Sequence, residues 1–315
     1  MKKIIAMMLI LSCGASAACL RSDGARAGVS ERYTYLVAGI DEAASNTDVL
    51  FLASYDVTDN AISVIHIPRD TYARFEGKYG KINRILPILR AGGRNISEAM
   101  SELTSYVSRT LAVDIDGYFC VGMAALVKTV DIMGGVDISL DDALTVTDEY
   151  GNALYKFERG INHLDGEAAG KFVRFRRGYV TGDLGRIDAQ KAFLKAFFES
   201  AKEKIGLEEA TRIVLVAGAD VTTDVGIINA VKILFKIRGS TGKTAMNFAT
   251  LPGEAVIIDS TSFYIINRKS AAELVFSQLN SNGKFDPDGN FSNDEDNTVK
   301  DIYFNENIKF KQFED

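Results

Sequence analysis

The chain has 315 residues, of which 47% are hydrophobic and 25% charged, and carries a net charge of −6 at neutral pH. That is a globular composition, long enough for one large domain or two small ones around a sizeable core. The negative balance excludes a general nucleic-acid binder, and with only two histidines a zinc site or histidine-based nucleophile triad is poorly supported.

Residues 1–19 read as an export leader. Lys2 and Lys3 precede an apolar run from Ile4 to Leu11, and small residues follow from Gly14 to Ala18. This is the positive, apolar, small order of a bacterial secretory signal, and its apolar run is shorter than the roughly 20 residues that span a bilayer. Ile10-Leu11-Ser12-Cys13 resembles a lipoprotein box that would leave Cys13 lipidated, whereas Ala15-Ser16-Ala17 offers a plain cleavage site. Attachment through Cys13 is the reading carried forward. Cys120 lies in an apolar stretch and reads as a small core residue, so the mature chain has no disulfide framework.

The remainder reads as alternating strands and helices. Tyr33 to Ile40, Val49 to Tyr55 and Ile62 to Ile67 are β-rich runs, the last two joined by a turn-rich hairpin link from Asp56 to Asn60. Ile96, Met100, Leu103, Val107 and Leu111 recur at helical spacing. A strand is expected at Tyr118–Val121, a helix at Ala124–Met133 stopped by Gly134-Gly135, and a strand at Val136–Leu140. His66 falls inside an apolar strand and His163 in a turn. Glu167–Phe172 reads as a helix that gives way to extended Val173-Arg174-Phe175-Arg176. A long helix follows from Arg186 to about Lys204, with Phe193, Phe197 and Phe198 on its buried side. Helices near Glu208–Ala217, Ile227–Lys236 and Ala271–Leu279 alternate with late strands at Ala245–Leu251, Ala255–Ile258 and Phe263–Ile266, and a polar loop runs from Asn280 to Asn297. This alternation indicates an α/β protein with helices packed on a central sheet. It divides into the leader, a main domain over residues 30–280 and a polar C-terminal extension over 281–315.

Two arginine clusters stand out. One is Ile67-Pro68-Arg69-Asp70-Thr71; the other runs through Arg174, Arg176 and Arg177 to Asp183 and Arg186, with Gln190 one turn on. Guanidinium forks pair with phosphate oxygens in bidentate fashion, so the set suits a multiply charged phosphate ester; single members also fit surface ion pairs. In an extended segment Arg174 and Arg176 share a face, and Arg186 and Gln190 share one in a helix. Asp183 precedes that helix, where it fits a simple N-cap or a partner for the arginines. Asp41 and Asp48 flank a short loop at strand ends, from which both could reach one Mg²⁺ completed by phosphate oxygens and water. Gly239–Thr244 has the wrong spacing for a phosphate loop, and Asp286–Asn290 lacks the glycine of a calcium loop.

In this order the markers resemble the LytR-CpsA-Psr family of bacterial cell-envelope proteins. They are Gly39-Ile40-Asp41, Thr47-Asp48, Ile67-Pro68-Arg69-Asp70-Thr71 and Lys81-Ile82-Asn83, then Gly92-Gly93, Asp131 to Val136 and Leu164 to Ala168. Val173 to Arg176, Asp183, Gly185-Arg186 and Gln190 close the series, and the resemblance covers Tyr33 to Gly253. It implies a three-layer α/β/α sandwich with a central mixed sheet, a hydrophobic channel for a polyprenyl chain and an arginine-lined mouth. It also implies transfer of a glycopolymer from a polyprenyl-pyrophosphate carrier to peptidoglycan or another envelope acceptor. Carried over by position, Asp41 and Asp48 hold Mg²⁺, and Arg69, Arg174, Arg176, Arg186 and Gln190 contact the pyrophosphate. Asp70 and Asp183 orient arginines or assist proton transfer, so Arg69, Asp70 and Asp183 form the expected catalytic set. Such an enzyme works at the membrane surface, on the outer face of the cytoplasmic membrane. Asn46 and Ala189 stand where the family has arginines, and the Asp41–Asp48 loop is short. These departures keep two alternatives open: a polyprenyl-pyrophosphate hydrolase, and a non-catalytic module that binds prenyl lipid or glycan.

Overall fold

The computed structural model describes residues 31–40, 46–76, 78–147, 150–175, 183–216, 218–226, 244–258 and 260–279. In chain order they form β1 (Arg32–Ile40), β2 (Thr47–Asp56), β3 (Ala61–His66), β4 (Tyr72–Phe75), β5 (Lys78–Lys81), α1 (Ile85–Ala91) and α2 (Ile96–Leu111). Next come β6 (Gly117–Gly122), α3 (Met123–Ile132), β7 (Val136–Leu140), β8 (Leu144–Thr147), β9 (Ala153–Phe157), β10 (Gly160–Leu164), α4 (Gly166–Arg174) and α5 (Asp183–Lys204). The series closes with α6 (Leu207–Val216), β11 (Val221–Thr223), β12 (Ala245–Thr250), β13 (Gly253–Ile258), β14 (Thr261–Ile266) and α7 (Arg268–Leu279). The fold is α/β, with a central mixed sheet of six strands in the order β11-β6-β1-β2-β3-β12 and helices around it.

The chain divides into two compact units. The first to be described takes in Thr34–Ser54, Ser63–Tyr118 and Asn247–Asp315. Its strands β1, β2 and β3 are buried in continuous runs rather than alternately, and Leu36, Leu52 and Val64 are fully shielded. Continuous burial is the mark of a sheet covered on both faces, and each such side chain contributes about 1.5–3 kcal/mol. Helix α2 follows directly from its sequence. The Asn95 side chain accepts from the Glu98 amide at 3.0 Å while the Glu98 carboxylate accepts from the Asn95 amide at 2.9 Å, closing a capping box. Met100, Leu103, Val107 and Leu111 then form its buried stripe.

The other unit takes in Tyr55–Ile62 and Phe119–Met246. Within the hairpin link the Asp56 carboxylate accepts from the amides of Thr58 and Asp59 at 2.8 and 2.9 Å, the local bonding that makes Asp a turn residue. Helices α3 and α4 approach closely at Gly166. A Cβ there would lie 2.3 Å from the Val127 carbonyl oxygen, and the Gly166 amide donates to Asp131 at 2.7 Å. Phe157, Phe172, Phe193 and Phe197 stack in series at 5.3, 6.4 and 6.0 Å, joining β9, α4 and α5. Cys120 is a buried core residue of β6, as expected.

The short hairpin β4–β5 and the strands β8, β9 and β10 are additions to the sequence reading. His163 is not in a turn: it lies on β10 opposite Asp137, with its Nδ1 2.6 Å from that carboxylate. The export leader with Cys13, the helix expected at Ile227–Lys236 and the polar tail fall outside the described residues.

Candidate functional site

The Arg69–Asp70 turn is the best-defined part of the site. β3 ends at His66, and buried Pro68 removes a donor and fixes φ, which favours a turn over continued strand. The Thr71 amide closes the turn on the Pro68 carbonyl at 3.0 Å. The turn is then tied down from several sides. Tyr264 donates its amide to the Asp70 carbonyl at 2.8 Å, Asn83 donates to Arg69 at 3.3 Å, and Ile82 donates to Thr71 at 2.8 Å. A backbone held this way presents its side chains in one geometry, which is what positioning a charged substrate requires.

Those side chains form a row of alternating charge. Arg69 Nη1 lies 3.3 Å from Asp48 Oδ1, Arg69 Nε lies 4.0 Å from Asp70 Oδ1, and Lys81 Nζ lies 3.0 Å from the same oxygen. All four side chains are half-buried. The motif Lys81-Ile82-Asn83 does not by itself mark Lys81 as part of the site. The signal that would have found it is the hairpin register, in which Lys81 opposes Tyr72, two residues beyond Asp70. Beside the row, Thr47 Oγ1, Thr71 Oγ1 and Asn83 Oδ1 are buried and have no hydrogen-bond partner among the described residues. Buried polar atoms of this kind are normally satisfied by water or ligand.

A small apolar crevice of about 10 Å³ lies at the turn, room for about one water molecule. Ile67, Thr71 and Ile82, neighbours in sequence of Arg69, Asp70 and Lys81, line it together with Val107, Leu251 and Ile266. Its walls are almost wholly apolar, and it is far smaller than a small-molecule site as it stands.

The second arginine cluster lies in the other unit. The Asp165 side chain accepts from the Ala168 amide at 2.8 Å and starts α4, which runs through Arg174. Arg174 is therefore helical and exposed rather than extended. The alternation argument that paired it with Arg176 does not hold, because Ala168, Ala169, Phe172 and Val173 continue the buried helical stripe to the end. Gln190 on α5 is buried, and its amide nitrogen donates to the Val173 carbonyl at 3.0 Å. Asp183 and Arg186 lie in the first turn of α5. Asp41 and Arg176 fall outside the described residues.

Asp48 occupies the second position of β2, just inside the strand. Among the described residues no three carboxylate, histidine or cysteine side chains converge. One or two carboxylate oxygens are nevertheless the donor set Mg²⁺ commonly takes from protein, the rest of its shell being phosphate and water. Of the expected pair Asp48 alone is described, and its carboxylate is one donor of that kind.

The LytR_cpsA_psr family model matches residues 21–280 of this chain. The chain belongs to the LytR_cpsA_psr family. Among its relatives in the family, the polyisoprenyl-teichoic acid–peptidoglycan teichoic acid transferase TagU of Oceanobacillus iheyensis is 26% identical over 239 residues, spanning 74% of this chain and 70% of that protein. TagU of Bacillus cereus is 33% identical over 170 residues, or 53% of this chain and 52% of its own length. TagV of Bacillus subtilis, a transferase of the same description, is 24% identical over 265 residues, or 81% of this chain and 66% of that one. The crystal structure of B. subtilis TagV superposes with a TM-score of 0.65 at 21% identity, covering 81% of this chain and all of that one. The fold is therefore the family's fold.

Proposed function

We propose that this chain transfers a glycopolymer from a polyprenyl-pyrophosphate carrier to peptidoglycan or another envelope acceptor. The observation that carries the reading is the charged row of Asp48, Arg69, Asp70 and Lys81, whose chain neighbours Thr71 and Ile82 line an apolar crevice, in a chain whose relatives are named as polyisoprenyl-linked teichoic acid transferases. The row meets the pyrophosphate, and the apolar crevice beside it must widen to receive the start of the prenyl chain.

In the reaction an acceptor hydroxyl attacks the phosphorus that bears the glycan. A new P–O bond forms to the acceptor, the P–O–P bridge breaks, and polyprenyl phosphate leaves with the bridging oxygen. Negative charge grows on that oxygen, and a guanidinium already in position stabilises it without reorganisation. Arg69 fills this role in the turn. Arg174, Arg176 and Arg186 supply further cations from the second cluster. Asp70, held between Arg69 and Lys81, receives the hydroxyl proton or keeps Arg69 aimed, with Asp183 as the corresponding carboxylate of the second cluster. Gln190 supports the end of α4 through Val173 and so helps set Arg174 in place. Asp41 and Asp48 would hold Mg²⁺, which when bound neutralises pyrophosphate charge.

The work site is the outer face of the cytoplasmic membrane, with the leader providing export and Cys13 the tether. Among the described residues no helix is long and apolar enough to cross a membrane. Tethering raises the effective concentration of a domain that must meet a membrane-borne donor.

The test is release of polyprenyl phosphate from a short polyprenyl-pyrophosphate-linked glycan, with and without acceptor. Acceptor-dependent release supports the transferase. Fast release that ignores the acceptor assigns the hydrolase instead, and binding without turnover under any pairing assigns the non-catalytic module.

A further inference from the structure

The β4–β5 hairpin leads out of the Arg69–Asp70 turn, and one of its faces carries Tyr72 and Tyr79, which the reaction above does not use, beside Lys81, which it does. Antiparallel register sets Tyr72 opposite Lys81 and Arg74 opposite Tyr79, and directly opposed residues point to the same side. The reverse side is spent on packing: Ala73 is buried and Phe75 meets the Tyr106 ring edge-on at 5.9 Å. On the first side the Tyr72 and Tyr79 rings lie near-parallel, 16° apart with centroids at 6.0 Å. Phe263 of β14 meets Tyr72 edge-on at 5.6 Å and is itself buried. Lys81 Nζ stands 6.0 Å from the centre of the Phe263 ring and 3.0 Å from the Asp70 carboxylate.

The order of burial along this stack is informative. Phe263 is 5% exposed, Tyr72 is intermediate, and Tyr79 is 58% exposed. Phe263 and Tyr72 are the packed end of the series, and Tyr79 extends the aromatic shelf outward into solvent. The shelf is also linked to the charged row, since Lys81 belongs to both.

We infer that this face, with Tyr79 as its platform and Lys81 as its polar partner, is the subsite for the sugar unit bonded directly to the pyrophosphate. A pyranose ring has a face of C–H groups whose slight positive charge suits the negative face of an aromatic ring. Its hydroxyls suit ammonium and carboxylate groups beside that ring, here Lys81 and Asp70. The position also fits. A sugar one bond from a phosphate gripped at Arg69 must lie within a few ångströms of that turn, and the hairpin is the segment that leaves it. The inference rests on the proposed donor, a glycan on a polyprenyl pyrophosphate, and adds where that glycan is read.

The experiment compares two probes by titration calorimetry in the presence of Mg²⁺: farnesyl pyrophosphate, and the same farnesyl pyrophosphate bearing one N-acetylhexosamine. Wild-type protein binds the sugar-bearing probe more tightly. Tyr79→Ala removes about 3- to 10-fold of affinity for that probe and leaves the bare pyrophosphate unaffected, which also certifies its folding. Tyr79→Phe keeps the ring and keeps the preference. Three results overturn the inference: a wild type that binds both probes equally, a Tyr79→Ala protein that retains the sugar preference, and equal weakening of both probes, which would assign Tyr79 to the lipid. A wild type that binds neither probe removes the donor reading itself, and the subsite with it.

Discussion

Replacing Arg69 by alanine separates a catalytic cluster from a surface ion pair. The guanidinium reaches Asp48 at 3.3 Å and Asp70 at 4.0 Å, with the Arg69 and Asp48 side chains 19% and 34% exposed. Partly solvated pairs of this kind contribute about 0.2–1 kcal/mol to folding. The turn itself depends on backbone bonds from Thr71, Asn83 and Tyr264, which the substitution leaves in place. The melting temperature should therefore fall by no more than about 4 °C. Activity responds to a different quantity. A charge-assisted contact with the pyrophosphate is worth about 1.5–3 kcal/mol, so turnover should fall roughly 10- to 150-fold. Arg69→Lys keeps the charge and loses the fork, and should fall between alanine and wild type. The assay is polyprenyl phosphate release under saturating acceptor, with a thermal melt on the same preparation. Unchanged turnover in Arg69→Ala would show that the row is only a surface network. A drop in stability large enough to account for the lost activity would contradict the separation of roles argued here.

Three further outcomes are expected. Arg174→Ala and Arg176→Ala should each lower turnover by about 10-fold or more with an unchanged melt, whereas Arg90→Ala, exposed on α1, should be silent in both measurements. Asp41→Asn combined with Asp48→Asn should abolish Mg²⁺ stimulation of turnover, since neutral amides are poorer ligands for a hard cation; persistent stimulation would mean that the metal arrives on the substrate alone. Gly166→Ala should destabilise the fold by about 1–3 kcal/mol in chemical denaturation, because its Cβ meets the Val127 carbonyl at 2.3 Å and the Asp131 carboxylate at 2.8 Å; wild-type stability there would mean that α3 and α4 move apart freely.

Much of the architecture was legible because long periodic segments announce themselves. α2 has a capping box at one end and five apolar residues at helical spacing, and both features speak for the same helix. The strands β1 to β3 are apolar runs bounded by turn residues, and Asp56 to Asn60 forms the expected hairpin link. The short pieces were harder to read. β4 and β5 have four residues each, and their pairing is fixed by register and by contacts with Tyr106 and Phe263, which are distant in sequence. That hairpin places Lys81 against Asp70, so the fourth member of the charged row was beyond local reasoning. The end of α4 was misjudged for a related reason. Val173-Arg174-Phe175-Arg176 alternates like a strand, yet burial of Phe172 and Val173 extends the helix through Arg174. The turn at Arg69 and Asp70 is legible because a proline at a strand end is a local signal, whereas the contact of Arg69 with Asp48 is not a local feature and depends on β2 and β3 being neighbours in the sheet.

The central claim is that a phosphate-linked glycan is moved to an acceptor, and the product decides it. Purified protein is incubated with Mg²⁺, a short polyprenyl-pyrophosphate-linked glycan and a peptidoglycan fragment, and the glycan-bearing material is examined by mass spectrometry. The account predicts a covalent adduct in which glycan and acceptor are joined through one phosphate, formed together with an equal amount of polyprenyl phosphate. Recovery of the glycan only as its free phosphate, with the acceptor unmodified, would contradict it.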